Sequence, residues 1–499
     1  MSIRTGGILL HPTSLPSDFG IGDLGPTAYR FADFLRQTRQ RIWQILPLSP
    51  TLAEYGSSPY HSVSSFAGNP LLISPAQMIA DGYLAESDLP QLPDFRRDRI
   101  SFDPVIRFKT EVLERAHRRF LSTRSSRRHA YENFCRRQDW LDDYALFASL
   151  RNHFGRDSWI EWPQKLRDRR RSALASARRD LTVDIERCKF AQFLFFQQWQ
   201  ALKDYCNRRR IRICGDMPIY LPLDSAEVWT HPELFKLNRN KKPFAVSGVP
   251  PDYFSATGQL WGHPVYRWDV IRKTGYRWWI RRMTHQLKLF DLIRIDHFRG
   301  LVAYWEVPAR AETAVKGKWV PAPAEDLFSQ MAKAFGTLPV IAEDLGTITA
   351  DVRETMAHFG FPGMRVLQFA FGDDFPDSSF LPHRHVRNCV VYTGTHDNNT
   401  TRGWFETEAA PGVKRNLFRY LGAAVPAVAL PREMIRLAMM SVADTAVIPM
   451  QDVLGLGVEA RMNRPAGKAD NWRWRLAPDY RTDEGVAFLR EMTEIYGRV

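Results

Sequence analysis

Four short segments carry acids where apolar runs end: "RICGDMP" with Asp216, "DLIRIDHF" with Asp296, "PVIAEDLG" with Glu343 and Asp344, and "VVYTGTHDNN" with His396 and Asp397. Strand alternation puts Leu292, Arg294 and Asp296 on one face and Ile293, Ile295 and His297 on the other. A cation two residues before Asp296 favours its ionised form. Glu343 follows Val340, Ile341 and Ala342, an apolar setting that raises a carboxyl pKa and keeps the proton on. One bare carboxylate and one protonated carboxyl are what glycosidic cleavage needs, the first for the anomeric carbon and the second for the leaving oxygen. A single acid after a strand reads equally well as a helix N-cap or a structural ion pair. Several on one rim repel each other, which a purely structural design avoids, so functional clustering is the better reading.

These acids need a scaffold that brings strand ends together. Eight apolar runs punctuate the chain, at 6–12, 41–50, 210–220, 290–298, 338–346, 363–372, 389–399 and 445–455. Helical patterns fall between several of them. Residues 26–39 put Ala28, Phe31, Phe34 and Leu35 on one side, and the last segment repeats the pattern with Val486, Leu489, Met492 and Tyr496. Strands alternating with helices predict a parallel sheet, and eight units predict an α/β fold of the closed (β/α)8 barrel type. The alternative, an open doubly wound sheet, lacks a G-x-G-x-x-G after an early strand. Two connections are too long to be simple: 51–209, mostly helical in pattern, and 217–289, rich in Pro, Gly and aromatics. Both leave the carboxyl end of a strand, where barrel active sites are assembled, and read as insertions that wall a cleft. The expected organisation is one catalytic barrel over 1–499 with these two insertions, the second carrying a cleft-covering loop at 248–262.

Composition narrows the function classes. The 499 residues are 44% hydrophobic, enough for a large core, with 15 Trp and 16 Tyr. A net charge of +14 raises polyanion binding. The Arg clusters, including 167–180, nevertheless read as solvated faces or exposed helix, without zinc-finger or aromatic-basic signatures, so no nucleic-acid role is expected. Five scattered cysteines without a C-x-x-C pair predict free thiols in a reducing compartment. With no apolar run of membrane length, a cytoplasmic protein without membrane association is expected. "HRH" at 383–385 lacks an acidic partner at ligand spacing and reads as a surface loop. The oligomeric state is not legible.

Longer matches then become specific. "SPY" (58–60), "FAGNPLLI" (66–73), "GDMPIY" (215–220), "GVPPDYFSATGQLWG" (248–262), "RIDHFRG" (294–300), "IAEDLG" (341–346), "PGMRVLQFAF" (362–371), "GTHDNNT" (394–400) and "NWRWR" (471–475) run in family order across nearly the whole chain. Together they resemble the 4-α-glucanotransferases of glycoside hydrolase family 77, also called amylomaltases or disproportionating enzymes. The resemblance implies a barrel with insertions and a retaining double displacement without cofactor or metal. The implied substrates are malto-oligosaccharides and α-1,4-glucans. By it Asp296 is the nucleophile, Glu343 the acid/base, and Asp397 the transition-state carboxylate, with His396 beside it. Arg294 orients the nucleophile, Asp216 and Tyr60 hold the sugar on the non-reducing side, and Trp261 lies on the covering loop. Ser58 and Asn463 are implied substrate contacts.

A transferase must keep water from the glycosyl-enzyme, and Tyr253, Phe254, Leu260 and Trp261 supply apolar surface suited to an acceptor lid. The chain departs from the family pattern at His61, Ala256, His263, Asn399 and the "RPAGK" segment, none of them a proposed catalytic group. The alternative activity is an amylase-like hydrolase using the same carboxylates.

Overall fold

Each of the eight apolar runs forms a strand of one parallel sheet. A computed structural model describes residues 4–122, 126–251, 255–465, 467 and 470–499. Its strands are β1 (Thr5–Leu9), β2 (Ile42–Gln44), β3 (Arg212–Pro218), β4 (Ala245–Val249), β5 (Gln259–Pro264) and β6 (Leu292–Asp296), followed by β7 (Ala303–Pro308), β8 (Lys318–Pro321), β9 (Val340–Ala342), β10 (Gly363–Val366), β11 (Cys389–Tyr392) and β12 (Thr445–Pro449). The large sheet runs β10-β11-β12-β1-β2-β3-β6-β9. Its two ends are consecutive in the chain, and the Ala342 N–H donates to the Pro362 carbonyl at 2.9 Å just ahead of β10. The edges therefore meet and the sheet is a (β/α)8 barrel.

The period-2 pattern sorts the strands' side chains into two cores. Leu9, Ile42, Cys214, Ile341, Met364, Val390, Tyr392 and Val447 pack together inside the barrel. Their neighbours Ile8, Trp43, Ile213, Ile293, Ile295, Val391 and Ala446 pack outward under the helices. Pro26 starts the helix Pro26–Gln37, whose buried residues include Ala28, Phe31, Phe34 and Leu35 as the spacing predicts. The last helix, Asp483–Ile495, is capped by the Thr482 hydroxyl, which accepts from the Gly485 N–H at 3.1 Å.

The first long connection is helical, ending in the 27-residue helix Thr182–Arg208. Two of its buried glutamines act as strand mimics. Gln192 accepts from the Gly68 N–H (2.7 Å) and donates to the Gly68 carbonyl (2.9 Å). Gln198 does the same to Ser74 at 2.8 and 3.2 Å. A buried loop backbone must have such partners, and these fix the segment that follows Tyr60.

A second sheet has no counterpart in the sequence reading. It is antiparallel, in the order β5-β4-β7-β8, and unites strands from before and after β6. The basic stretch 167–180 is not one exposed helix. It breaks between Gln164–Arg167 and Arg171–Asp180, buries Leu174 and Ala177, and sends Arg169 over the Trp229 ring at 4.3 Å. "HRH" is not simply a surface loop either, since His385 is buried between the Ser441 hydroxyl (2.7 Å) and the Phe380 carbonyl (2.9 Å). All five cysteines are free thiols. Among the described residues no helix is long and apolar enough to cross a membrane.

Gly215 in β3 shows how little room the barrel wall leaves, because a Cβ there would stand 2.2 Å from the Phe290 ring. Gly215→Ala is expected to lower the unfolding free energy by about 1–3 kcal/mol through overpacking, read from urea denaturation. An unchanged midpoint would show that Phe290 moves aside freely.

Candidate active site

Arg294 organises the mouth of the barrel. It sits in β6 with its side chain buried, and one nitrogen, Nη1, lies 2.7 Å from Asp216 Oδ2 and 3.0 Å from Asp296 Oδ1. β3 and β6 are paired with Asp216 opposite Arg294, so the register itself makes the first contact. Asp216 is not a free acid of the rim. It is buried beneath Asp296 and accepts from the Tyr60 hydroxyl at 2.8 Å, and its Oδ1 has no hydrogen-bond partner among the described residues. Burial pushes its pKa up to about 6 despite the guanidinium. Asp296 keeps 30% of its side chain exposed at the cleft, with Arg294 as counter-ion.

Glu343 stands one step beyond β9. Ile295 pairs with Ala342, and the Glu343 N–H donates to the Ile295 carbonyl at 3.1 Å, so Asp296 and Glu343 are the next residues of two adjacent parallel strands. Glu343 Oε2 accepts from the His297 N–H at 2.7 Å, and Oε1 from the Leu345 N–H at 2.9 Å. His297 has φ +50°, a left-handed turn at the strand end. Desolvation is the largest influence on Glu343 and carries its pKa up to about 7, against the pull of Arg294 and the two amides.

Asp344 goes elsewhere. Its carboxylate accepts from the Met364 N–H (2.6 Å) and meets Arg365 Nη1 at 3.1 Å, tying β9 to β10. Of the two adjacent acids only Glu343 reaches the cleft lining.

The loop after β11 brings His396 and Asp397. Asp452 clamps its two ends, accepting from the Thr393 hydroxyl at one end and from the Thr401 N–H (2.7 Å) and hydroxyl (2.8 Å) at the other. The His396 ring is buried and stacks on Tyr60 with centroids 5.2 Å apart, and its Nε2 is 3.5 Å from Asp397 Oδ2. Asn463 donates to Asp397 Oδ1 at 2.6 Å, which places it in the site in spite of its altered neighbours. Arg461 was not singled out from the sequence. It donates to the carbonyl of Asn463 two residues on (2.8 Å), and it reaches the Asp397 carbonyl (3.1 Å) and Glu408 from 64 and 53 residues away, separations that leave no local signal.

Tyr60, Arg294, Asp296, Glu343, His396, Asp397, Arg461 and Asn463 line one open cleft of about 1530 Å³, while Asp216, Asp344 and Asp452 lie behind its surface. Small-molecule sites run to about 300–1,000 Å³, so this one suits a longer ligand. Ser58 and Tyr60 form part of its wall, and the Ser58 hydroxyl accepts from the Tyr60 N–H at 3.3 Å. Trp261, on β5, packs edge-on against His297 with centroids 4.7 Å apart. Leu260 is partly exposed beside it, while Tyr253 and Phe254, expected to complete the lid, lie outside the described residues. His61 and His263 meet at 5.0 Å, with Tyr55 stacked on His61 at 3.7 Å. Among the described residues no group of His, Cys, Asp or Glu is arranged to hold a metal.

Comparison with known proteins adds independent findings. A family model described as 4-alpha-glucanotransferase matches residues 10–481. The chain is 47% identical to the 4-alpha-glucanotransferase of Aquifex aeolicus over 497 residues, covering 99% of this chain and all of that one. It is 48% identical to that of Thermus thermophilus over 504 residues, 99% of both chains. The solved amylomaltase from Streptococcus agalactiae, in complex with acarbose, aligns with a TM-score of 0.96 at 39% identity over 99% of each chain.

Removing the shared cation tests the electrostatics. Arg294→Met leaves Asp216 with an uncompensated buried charge, a loss of about 3–5 kcal/mol in urea unfolding at pH 8. The folded pKa of Asp216, already raised from 3.8, rises further in the variant. The folded state then binds the proton more tightly than the unfolded chain, so stability is recovered as pH falls, and the deficit should shrink at pH 5. An equal deficit at both pH values would contradict the ion-pair account.

Proposed function

The chain belongs to the 4-alpha-glucanotransferase family, and from that membership we propose that Asp296 and Glu343 are the pair that breaks and remakes the glucosidic bond. It is an enzyme that transfers α-glucan segments. The observation that carries the assignment is the hydrogen bond from the His297 N–H to Glu343 Oε2, 2.7 Å. The acid thereby holds the amide directly after Asp296, across the β6–β9 register.

Neighbouring strands lie about 4.8 Å apart, so adjacent in-register carboxyls fit the 5–5.5 Å or so of a retaining pair better than the 6.5–9.5 Å or so of an inverting one. In the proposed first step an Asp296 carboxylate oxygen attacks the anomeric carbon. The bond to the glycosidic oxygen breaks, and that oxygen takes the Glu343 proton. In the second step Glu343 removes the proton from the 4-hydroxyl of an incoming glucan, whose oxygen displaces Asp296. The donor segment is thereby joined to the acceptor through a new α-1,4 bond, and Glu343 regains its proton. Asp397, steadied by Asn463 and His396, would accept from ring hydroxyls more strongly as the sugar flattens. Arg294 holds Asp296 in its attacking position and balances it against Asp216. Tyr60 offers a ring face, backed by His396, to the sugar on the non-reducing side, and Ser58 borders it. Trp261 covers the far side with an apolar plane that excludes water, which favours a sugar over water as acceptor.

The reading extends to the segments 51–209 and 217–289 as walls of the cleft, to malto-oligosaccharides as the substrates, and to a cytoplasmic setting, which the free thiols favour.

Incubation with maltotriose should give glucose and a ladder of longer chains, whereas glucose and maltose alone would mean hydrolysis. Asp296→Asn and Glu343→Gln should each lower turnover by about 10²–10⁴ or more; activity close to that of the unmutated enzyme in either would refute the assignment. Glu343 must carry a proton in the first step, and its pKa lies near 7. The pH profile of kcat/KM should therefore descend on the alkaline side near pH 7, about tenfold per unit. A flat profile to pH 9 would assign the proton to another group.

A further inference from the structure

We propose that Trp319, on the outer edge of the small sheet, is a stacking platform for a distal glucose unit of an α-1,4-glucan lying along the Glu343 side of the cleft; this rests on the functional reading above. Trp319 is 36% exposed, high for the largest side chain, and it lines the same cleft as Glu343, Leu345, Gly346 and Thr347. Exposed aromatic surface within a ligand cleft is expensive to leave wet unless something covers it.

The ring is held rigid from behind. The Arg299 guanidinium lies 3.9 Å from its centroid. Arg299 is itself buried and anchored to the Thr349 hydroxyl at 2.9 Å. Trp305 faces Trp319 directly across the β7–β8 ladder and meets it with centroids 5.3 Å apart and planes at 66°. Trp305 is in turn fixed by an Nε1–H bond to the Ala314 carbonyl (2.8 Å) and by Gly317, where a Cβ would stand 2.2 Å from Trp305 Nε1. Arg299 thus covers one part of the Trp319 ring system and Trp305 another, and the 36% that stays exposed belongs to a residue of the cleft wall. Packing that immobilises an aromatic in this way lowers the entropy lost when a ligand lands on it.

The chemistry selects the occupant. A glucose unit presents an apolar C–H face and a polar rim, which matches an indole flanked by Arg299 and by the loop after Glu343. The position also follows from the mechanism. The leaving segment and the incoming acceptor both occupy the Glu343 side, so a platform on that wall grips chains long enough to extend past the reacting bond. Trp319 is therefore a chain-length determinant and touches no reacting atom.

The test uses the full chain carrying Glu343→Gln, so that ligands are not turned over, with and without changes at Trp319. Calorimetric titration with maltose and with maltohexaose reads Kd. Trp319→Ala should weaken maltohexaose binding about 3- to 10-fold, the worth of one aromatic stacking contact, and maltose binding clearly less. Trp319→Phe should keep most of the affinity. Trp319→Leu, which retains apolar packing on the hairpin, should behave as Ala does and keep the question answerable if Ala unfolds. Equal weakening for both sugars, or none, overturns the proposal. Failure of the Glu343→Gln parent to bind either sugar overturns the functional reading first, and this one with it.

Discussion

One guanidinium governs the chemistry of this molecule. Arg294 is buried at the mouth of the barrel between two carboxylates of different depth, Asp216 at 2.7 Å and Asp296 at 3.0 Å. Without it, two negative charges would face each other in a poorly solvated space with Glu343 as a third. With it, both carboxylates share one cation, and Asp296, with 30% of its side chain exposed, is the one that solvent can reach. Asp216 and Glu343 are both pushed towards their neutral forms by burial, to about 6 and 7. Division of labour among three acids therefore follows from depth and from the placing of one cation.

The scaffold makes that arrangement stiff. Arg294, Asp216 and Asp296 are fixed by the β3–β6 register, and Glu343 by the β6–β9 register. Asp397 alone comes from a longer loop, and there Asp452, Asn463 and Arg461 supply the anchoring that a strand would otherwise give. Misplacement by an ångström is costly in catalysis, so hydrogen-bonded support of this density is what the chemistry demands. From the small sheet, Trp261 and Trp319 bring aromatic surface to the cleft wall.

Much of this was legible in the residues. Short apolar runs announced all eight barrel strands, and acids at the ends of several of them pointed to the candidate site. The apolar residues before Glu343 suggested a raised pKa, and burial of its carboxyl pushes it the same way. The residues did not separate Glu343 from Asp344, which turns away to the Met364 N–H and Arg365. What stayed hidden was non-local. The small sheet pairs β4 with β7 across β6, without a hairpin turn to betray it. Arg461 reaches Asp397 from 64 residues away. Asp216 reads as a rim acid until its burial beneath Asp296 is seen, because sequence gives the end of a strand but not the depth of a side chain. The ordered family motifs supplied the roles that spacing alone left open between catalysis and ion pairing.

The most direct test is to trap the covalent intermediate. A fluorinated α-glucosyl fluoride slows the second displacement more than the first, and peptide mass spectrometry of the denatured enzyme then locates the sugar. A hexosyl adduct on the peptide containing Asp296, absent in Asp296→Asn, is the predicted result. An adduct on Glu343 or Asp397, or turnover with no adduct at any acid, would contradict the account.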